Sequence, residues 1–187
     1  MNILVTGFEP FGGDDINASW EAVRLLESRI GCASVRVCRL PVVFGLAGRE
    51  LEKEIRVFAP DYVLCHGVAG GRNAITPEAR AQNMRRARIP DNAGQVFDGE
   101  RIDVCGPEER RTGLDLEHLV REMRKYAPAE ISGDAGQYVC NDLYWACLSM
   151  QETYHYRGLF THVPPVSAIP SSQVADAIRA GILALQA

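Results

Sequence analysis

Short, almost unbroken apolar runs alternate along the chain with stretches in which apolar residues recur every three or four positions, and this alternation predicts strands and helices in turn. The run from Asn2 to Gly7 reads as a buried strand, followed by the Gly- and Pro-rich loop GFEPFGGDDIN. Trp20, Val23, Leu26 and Ile30 then predict a helix that Asn17 or Ser19 can cap. A second strand fits Ala33 to Leu40, and Ala47, Leu51, Ile55 and Phe58 predict a helix that stops before Pro60. Tyr62 to Gly67 (YVLCHG) is a third strand. From Val68 to about Glu109 the period breaks down, yet Ile75, Ile89, Val96 and Ile102 predict an ordered excursion of hairpins and loops.

Helical spacing returns at Leu116, Leu119, Val120 and Met123, a short strand is expected around Glu130 to Ser132, and Val139, Leu143, Cys147, Met150 and Tyr154 predict a further helix. Gly158 to Val163 (GLFTHV) reads as a strand, and Ser171 is placed to cap a last helix carrying Val174, Ile178, Ile182 and Leu185. The sum is an α/β three-layer sandwich, a twisted, largely parallel sheet with helices on both faces. No linker or internal repeat divides the sequence, so one domain over residues 1–187 is expected.

Composition narrows the function. Twenty Lys and Arg against 24 Asp and Glu leave a formal charge of −4 with no basic run, which argues against a nucleic-acid partner. No stretch is long and apolar enough to span a membrane, and the N-terminus lacks the pattern of an export signal, so no membrane partner and a cytoplasmic location are expected. Six cysteines in that setting read as reduced thiols, and the absence of a C-x-x-C pair argues against structural zinc; no metal or other cofactor is expected.

In open α/β sheets ligands bind beyond the carboxyl ends of the strands, which directs attention to Phe8–Gly13, Val68–Arg72, the approach to Cys140 and the surroundings of His162. The glycine segments lack the lysine of a phosphate-binding loop and the spacing of a dinucleotide site. Phe8 and Phe11 are either core or an apolar clamp for a flat, uncharged group. A lone Cys is more often a small buried hydrophobe than a nucleophile. Cys140, however, stands at a turn-to-helix junction, where the helix N-terminus and a nearby base are expected to lower its pKa. His162 closes a strand just before Val163-Pro164-Pro165 and is the candidate base; Glu78, in ITPEARAQN, is the candidate carboxylate to orient it.

These residues lie in segments that, taken together, resemble the cysteine-type pyroglutamyl peptidases, also called pyrrolidone-carboxylate peptidases. The matching segments are GFEPFGG with NASWEAV, AGGR, ITPEARAQN, ARIPDNAG, AGQYVCN and THVP, in that order along nearly the whole chain. The resemblance implies an α/β sandwich with a mixed sheet and cofactor-free hydrolysis of an N-terminal pyroglutamyl residue from a peptide substrate. By position it makes Cys140 the nucleophile, His162 the base and Glu78 the orienting carboxylate. It sets Phe8 and Phe11 on the pyrrolidone ring, Val68, Ile89, Tyr138 and Val139 in the pocket wall, and Arg88 near the developing oxyanion. It also implies a homo-oligomer, a tetramer in the family pattern.

The chain departs from the family pattern in places. Val68 stands where members often carry Gln, Gln137 and Tyr138 replace a small hydroxyl residue and Phe, and PPVSAIPSSQ follows His162. Those departures motivate a rival reading, a noncatalytic lactam- or small-ligand-binding protein of the same fold. A phosphorylase-like enzyme on a related architecture is a third.

Overall fold

The computed structural model describes residues 1–186. Its strands are β1 (Asn2–Phe8), β2 (Arg29–Ile30), β3 (Ala33–Leu40), β4 (Tyr62–Val68), β5 (Thr76–Pro77), β6 (Arg80–Gln82), β7 (Arg85–Arg86), β8 (Asp98–Glu100), β9 (Glu109–Arg111) and β10 (Arg157–Val163). The helices are α1 (Ala18–Val23), α2 (Leu46–Phe58), α3 (Leu116–Met123), α4 (Val139–Tyr154) and α5 (Ser171–Ala184). A six-stranded sheet runs in the order β2-β3-β1-β4-β10-β5, with β3, β1, β4 and β10 parallel and the two short edge strands antiparallel. This is the mixed, largely parallel sheet expected from the alternation of patterns.

Because successive strand residues point to opposite faces, β1 sends Ile3 and Val5 to one side and Leu4 and Phe8 to the other. The first face packs on α1, α3 and α5 through Val23, Leu119, Val120, Val174 and Ile178. The second packs on α2 and α4 through Leu51, Ile55, Leu143, Tyr144 and Leu148. Asn17 caps α1, its Oδ1 accepting from the Ser19 N–H at 3.0 Å. The excursion after β4 folds into two small antiparallel pairs, β6 with β9 and β7 with β8.

Three local expectations are corrected. The first helix ends at Val23 rather than running on to Ile30, because Leu25 and Leu26 bond back three residues and Arg29–Ile30 joins the sheet edge. The segment Glu130–Ser132 is not a strand; Ala129 and Ser132 only bridge singly to Ile75 and Glu78. Ser171 is the first residue of α5, so Pro170 takes the cap position and no side chain caps that end.

Candidate active site

The site lies where β4, β5 and β10 end against the start of α4. Pro77 makes β5 a short edge strand, as a residue without an N–H donor favours. Its antiparallel pairing sets Thr76 opposite His162 and Pro77 opposite Thr161. The next residue, Glu78, is fixed by its own backbone: its N–H donates to the Phe160 carbonyl at 2.9 Å and its carbonyl accepts from the Tyr144 hydroxyl at 2.8 Å. The carboxylate is thereby delivered beneath the imidazole, and His162 Nδ1 lies 2.7 Å from Glu78 Oε1. Glu78 is 0% and His162 5% exposed. Since a carboxylate only accepts, Nδ1 is the nitrogen that carries the proton in this contact.

Arg72 completes the cluster. Its Nη1 donates to Glu78 Oε1 at 2.5 Å and also reaches Thr76 Oγ1, while Nη2 donates to the Asp134 carbonyl at 2.7 Å. Burial works to raise the Glu78 carboxyl, but the hydrogen bond from His162, helped by Ser132 and Arg72, outweighs it and holds the group below the usual glutamate value. Arg72 closes the Val68–Arg72 segment that the sequence singled out, but it was not itself among the candidate site residues.

Cys140 is the second residue of α4, a position whose main-chain N–H has no acceptor within the helix. Gly67 is in register with His162 across the β4–β10 pair and leaves the space that the thiol fills. Contrary to the expected lowering, burial pushes the Cys140 thiol up to about 12; the Glu78 charge adds to the rise, and its own N–H and Arg72 oppose it. That shift favours the neutral thiol at Cys140.

Cys140 and His162 line one cavity of about 130 Å³, together with Phe8, Phe11, Val68, Tyr138 and Val139. Phe8 serves as core and wall at once: it is buried, its ring centroid 6.5 Å from that of Phe160, and it borders the cavity. Phe11 is half-buried beside the Tyr138 ring, centroids 6.1 Å apart. The sequence reading missed Val42 and Ala135 in this wall, and saw Asn17 only as a helix cap. Asn17 does both, because its Nδ2 donates to the Glu9 carbonyl at 2.9 Å and so ties the loop between Phe8 and Phe11 to the start of α1. Among the described residues no carboxylate lines the cavity.

Arg88 and Ile89 are not brought into this wall. Both are exposed, Ile89 to 47%, and they border an adjoining cleft that shares Tyr138 with the cavity. Ile89 precedes Pro90, which favours an extended backbone there. His66, the other histidine near a strand exit, points to the opposite face of the sheet, where its Nδ1 meets the Thr6 carbonyl at 3.2 Å.

Comparison with known proteins places the chain beside one family. The family model described as pyroglutamyl peptidase matches residues 1–186. Pyrrolidone-carboxylate peptidase of Bacillus velezensis is 42% identical over 166 residues, 87% of this chain and 77% of that protein. Pyrrolidone-carboxylate peptidase 1 of Streptococcus pneumoniae serotype 4 is 42% identical over 167 residues, 88% of this chain and 78% of that one. The crystal structure of pyroglutamyl peptidase I from Bacillus amyloliquefaciens aligns with a TM-score of 0.92 at 37% identity, covering 98% of this chain and 93% of the other. That of pyrrolidone carboxyl peptidase from Pyrococcus furiosus aligns at 0.94 and 34% identity, covering 100% and 99%.

Proposed function

Since this chain belongs to the pyroglutamyl peptidase family and is a cysteine peptidase of that kind, we propose that Cys140, His162 and Glu78 carry out its removal of N-terminal pyroglutamate. The observation that carries the assignment is the buried His162–Glu78 pair, 2.7 Å apart, at the wall of a cavity that also exposes Cys140. In this reading His162 Nε2 takes the thiol proton as Sγ attacks the pyroglutamyl carbonyl carbon. Because the thiol starts neutral, proton transfer accompanies the attack.

The tetrahedral oxyanion is assigned to the Cys140 main-chain N–H at the start of α4, where the helix dipole favours negative charge. His162 then returns its proton to the leaving amine as the C–N bond breaks, which leaves a pyroglutamyl thioester on Sγ. A water molecule, deprotonated at the same Nε2, hydrolyses the thioester and releases pyroglutamate. Throughout, Glu78 holds Nδ1–H and stabilises the imidazolium, and Arg72 holds Glu78.

Selectivity follows from the cavity wall. Phe8, Phe11, Val68 and Val139 suit a flat, neutral lactam, whereas an ordinary N-terminus would bring an ammonium into an apolar space that has no carboxylate to receive it. The same reading keeps residues 1–187 as one domain, supported by a sheet built from both ends of the chain. It keeps a cytoplasmic location, supported by six free thiols. It keeps a homo-oligomer, supported by the exposed Val96 and Val104 of the excursion. Among the described residues no helix is long and apolar enough to cross a membrane.

The test is release of a chromophore from a pyroglutamyl anilide by the protein and by Cys140→Ala and His162→Gln. Turnover that vanishes in both folded variants is expected. No turnover by the parent protein would favour the noncatalytic ligand-binding reading, and a requirement for phosphate would favour the phosphorylase-like one.

A further inference from the structure

Next to the lactam cavity, with the Tyr138 ring as the shared wall, lies an open cleft of about 440 Å³. One side of it is the turn from Asp134 to Tyr138, which ends two residues before Cys140; the other carries Arg86 and Arg88. A peptide whose first ring fills the cavity has to lead its remaining residues away from Cys140, and this cleft is the concavity that adjoins it.

The charges in the cleft are unusual for this part of the chain. The excursion is rich in arginine, but Arg72, Arg80, Arg85 and Arg101 are each matched by a carboxylate: Glu78, Glu109, Asp142 and Glu108. Among the described residues neither Arg86 nor Arg88 has a carboxylate within 4.0 Å. Asp98, opposite Arg86 in the β7–β8 pair, is exposed and makes no ion pair with it. The carboxylate that does line the cleft, Asp134, is already engaged, its Oδ1 accepting from Gln82 Nε2 at 2.8 Å and from the Gly136 N–H at 2.9 Å.

Arg86 is also well placed. Its N–H donates to the Gln137 carbonyl at 2.7 Å, which fastens β7 to the turn just before Tyr138. Strand alternation sends Arg85 inward, Nε 2.5 Å from Asp142 Oδ1, and leaves Arg86 facing out. Its guanidinium lies against Gly99, where a Cβ would stand 2.8 Å from Nη2, so the absence of a side chain there makes room for it.

We propose that Arg86 and Arg88 form a carboxylate subsite for the leaving peptide, so that the enzyme prefers pyroglutamyl peptides with an acidic group directly after the pyroglutamate. The proposal rests on the hydrolytic reading given above. Guanidinium groups match a carboxylate in planar, two-bond geometry, and two of them without protein partners leave such a group uncontested. The carboxylate is either an Asp or Glu side chain at the second residue or the C-terminus of a pyroglutamyl dipeptide.

The experiment compares kcat/KM for pyroglutamyl-Glu-amide, pyroglutamyl-Gln-amide, free-acid pyroglutamyl-Gln and a neutral pyroglutamyl anilide. The expected result is a preference of about three- to tenfold for one carboxylate substrate over the neutral amide, with the Glu-amide or the free acid marking which carboxylate is read. That preference should shrink toward one in Arg86→Gln and in Arg88→Gln and weaken at high salt. Ratios near one in the parent protein, or a ratio unchanged by both substitutions while the anilide is cleaved, would overturn the subsite alone. No cleavage of the anilide would overturn the hydrolytic reading and the subsite with it.

Discussion

Gly67 and Cys140 are so closely apposed that a Cβ added to the glycine would lie 2.8 Å from Cys140 Sγ. The same Cβ would stand 2.8 Å from Phe160 Cζ, so it has nowhere to retreat. Gly67 is in register with His162 on the adjacent strand, and the gap it leaves is what lets the start of α4 bring the thiol to the cavity that His162 also lines.

Gly67→Ala should therefore displace the Cys140 thiol. A shift of the order of 1 Å can cost about a hundredfold in rate, and overpacking at such a site costs about 1–3 kcal/mol of stability. Steady-state kinetics and urea unfolding of the same preparation check both. Near-normal kcat would mean that Cys140 does not need the space.

Glu78→Gln should lower kcat by about a hundredfold or more, since an amide can hold the imidazole in the wrong tautomer and cannot stabilise an imidazolium. The fold should persist, because the bonds to Phe160 and Tyr144 use the main chain of residue 78 and the variant keeps them. A folded variant with nearly full turnover would remove Glu78 from the mechanism.

A half-buried Cys140 whose thiol is held neutral also has a chemical signature. Cys32 and Cys105 are exposed, so iodoacetamide should reach them readily, but loss of activity should follow alkylation of Cys140 alone, as read by peptide mapping. His162→Gln should slow labelling of Cys140 much more than that of Cys32, because in the proposed mechanism His162 takes the Cys140 proton. Equal slowing at both residues would separate the thiol from the imidazole.

The fold was legible because its sheet is built from short apolar runs flanked by periodic helices, and Leu51, Leu119, Leu143 and Ile178 mark buried faces in sequence as they do in space. Of the residues proposed as the triad, Cys140 and His162 stood out in the sequence as chemistry-bearing types at a helix start and a strand end. What the sequence could not reveal depends on contacts across distant segments. Arg72 meets Glu78 through a turn of irregular backbone, and Ala135 and Val42 become cavity wall only because the excursion folds back over the sheet. The rise in the Cys140 pKa has the same origin: the helix terminus is visible in the sequence, while the burial that outweighs it is not.

His66 gives the protein an acid-sensitive core. Burial pushes its pKa down to about 4 despite the contact with the Thr6 carbonyl, whereas in the unfolded chain it titrates near the usual 6.5. Between those values the unfolded chain binds a proton that the folded one refuses, so stability falls as pH drops through that window, by as much as about 3 kcal/mol. Urea unfolding at several pH values should show a shallower decline for His66→Asn than for the parent. Parallel declines would mean that the carboxylates alone govern acid unfolding.

In the proposed site, Val68 is the position at which side-chain and main-chain recognition of the lactam can be told apart. It ends β4, lines the cavity, and sits opposite Val163 in register, with the next N–H, that of Ala69, donating to the Val163 carbonyl at 2.9 Å. If a side-chain amide at this position were needed to grip the lactam, Val68→Gln would add a neutral hydrogen bond with a net worth of about 0.5–1.5 kcal/mol, a gain between roughly twofold and tenfold. The geometry favours main-chain recognition instead. A peptide N–H and C=O complement a lactam's C=O and N–H, and Val68, two residues on from His66, packs against the opposite-face core although it borders the cavity. The expected result for Val68→Gln is thus an unchanged or lower kcat/KM on a pyroglutamyl anilide. A gain above tenfold would show that the side chain, and not the main chain, supplies the missing contact.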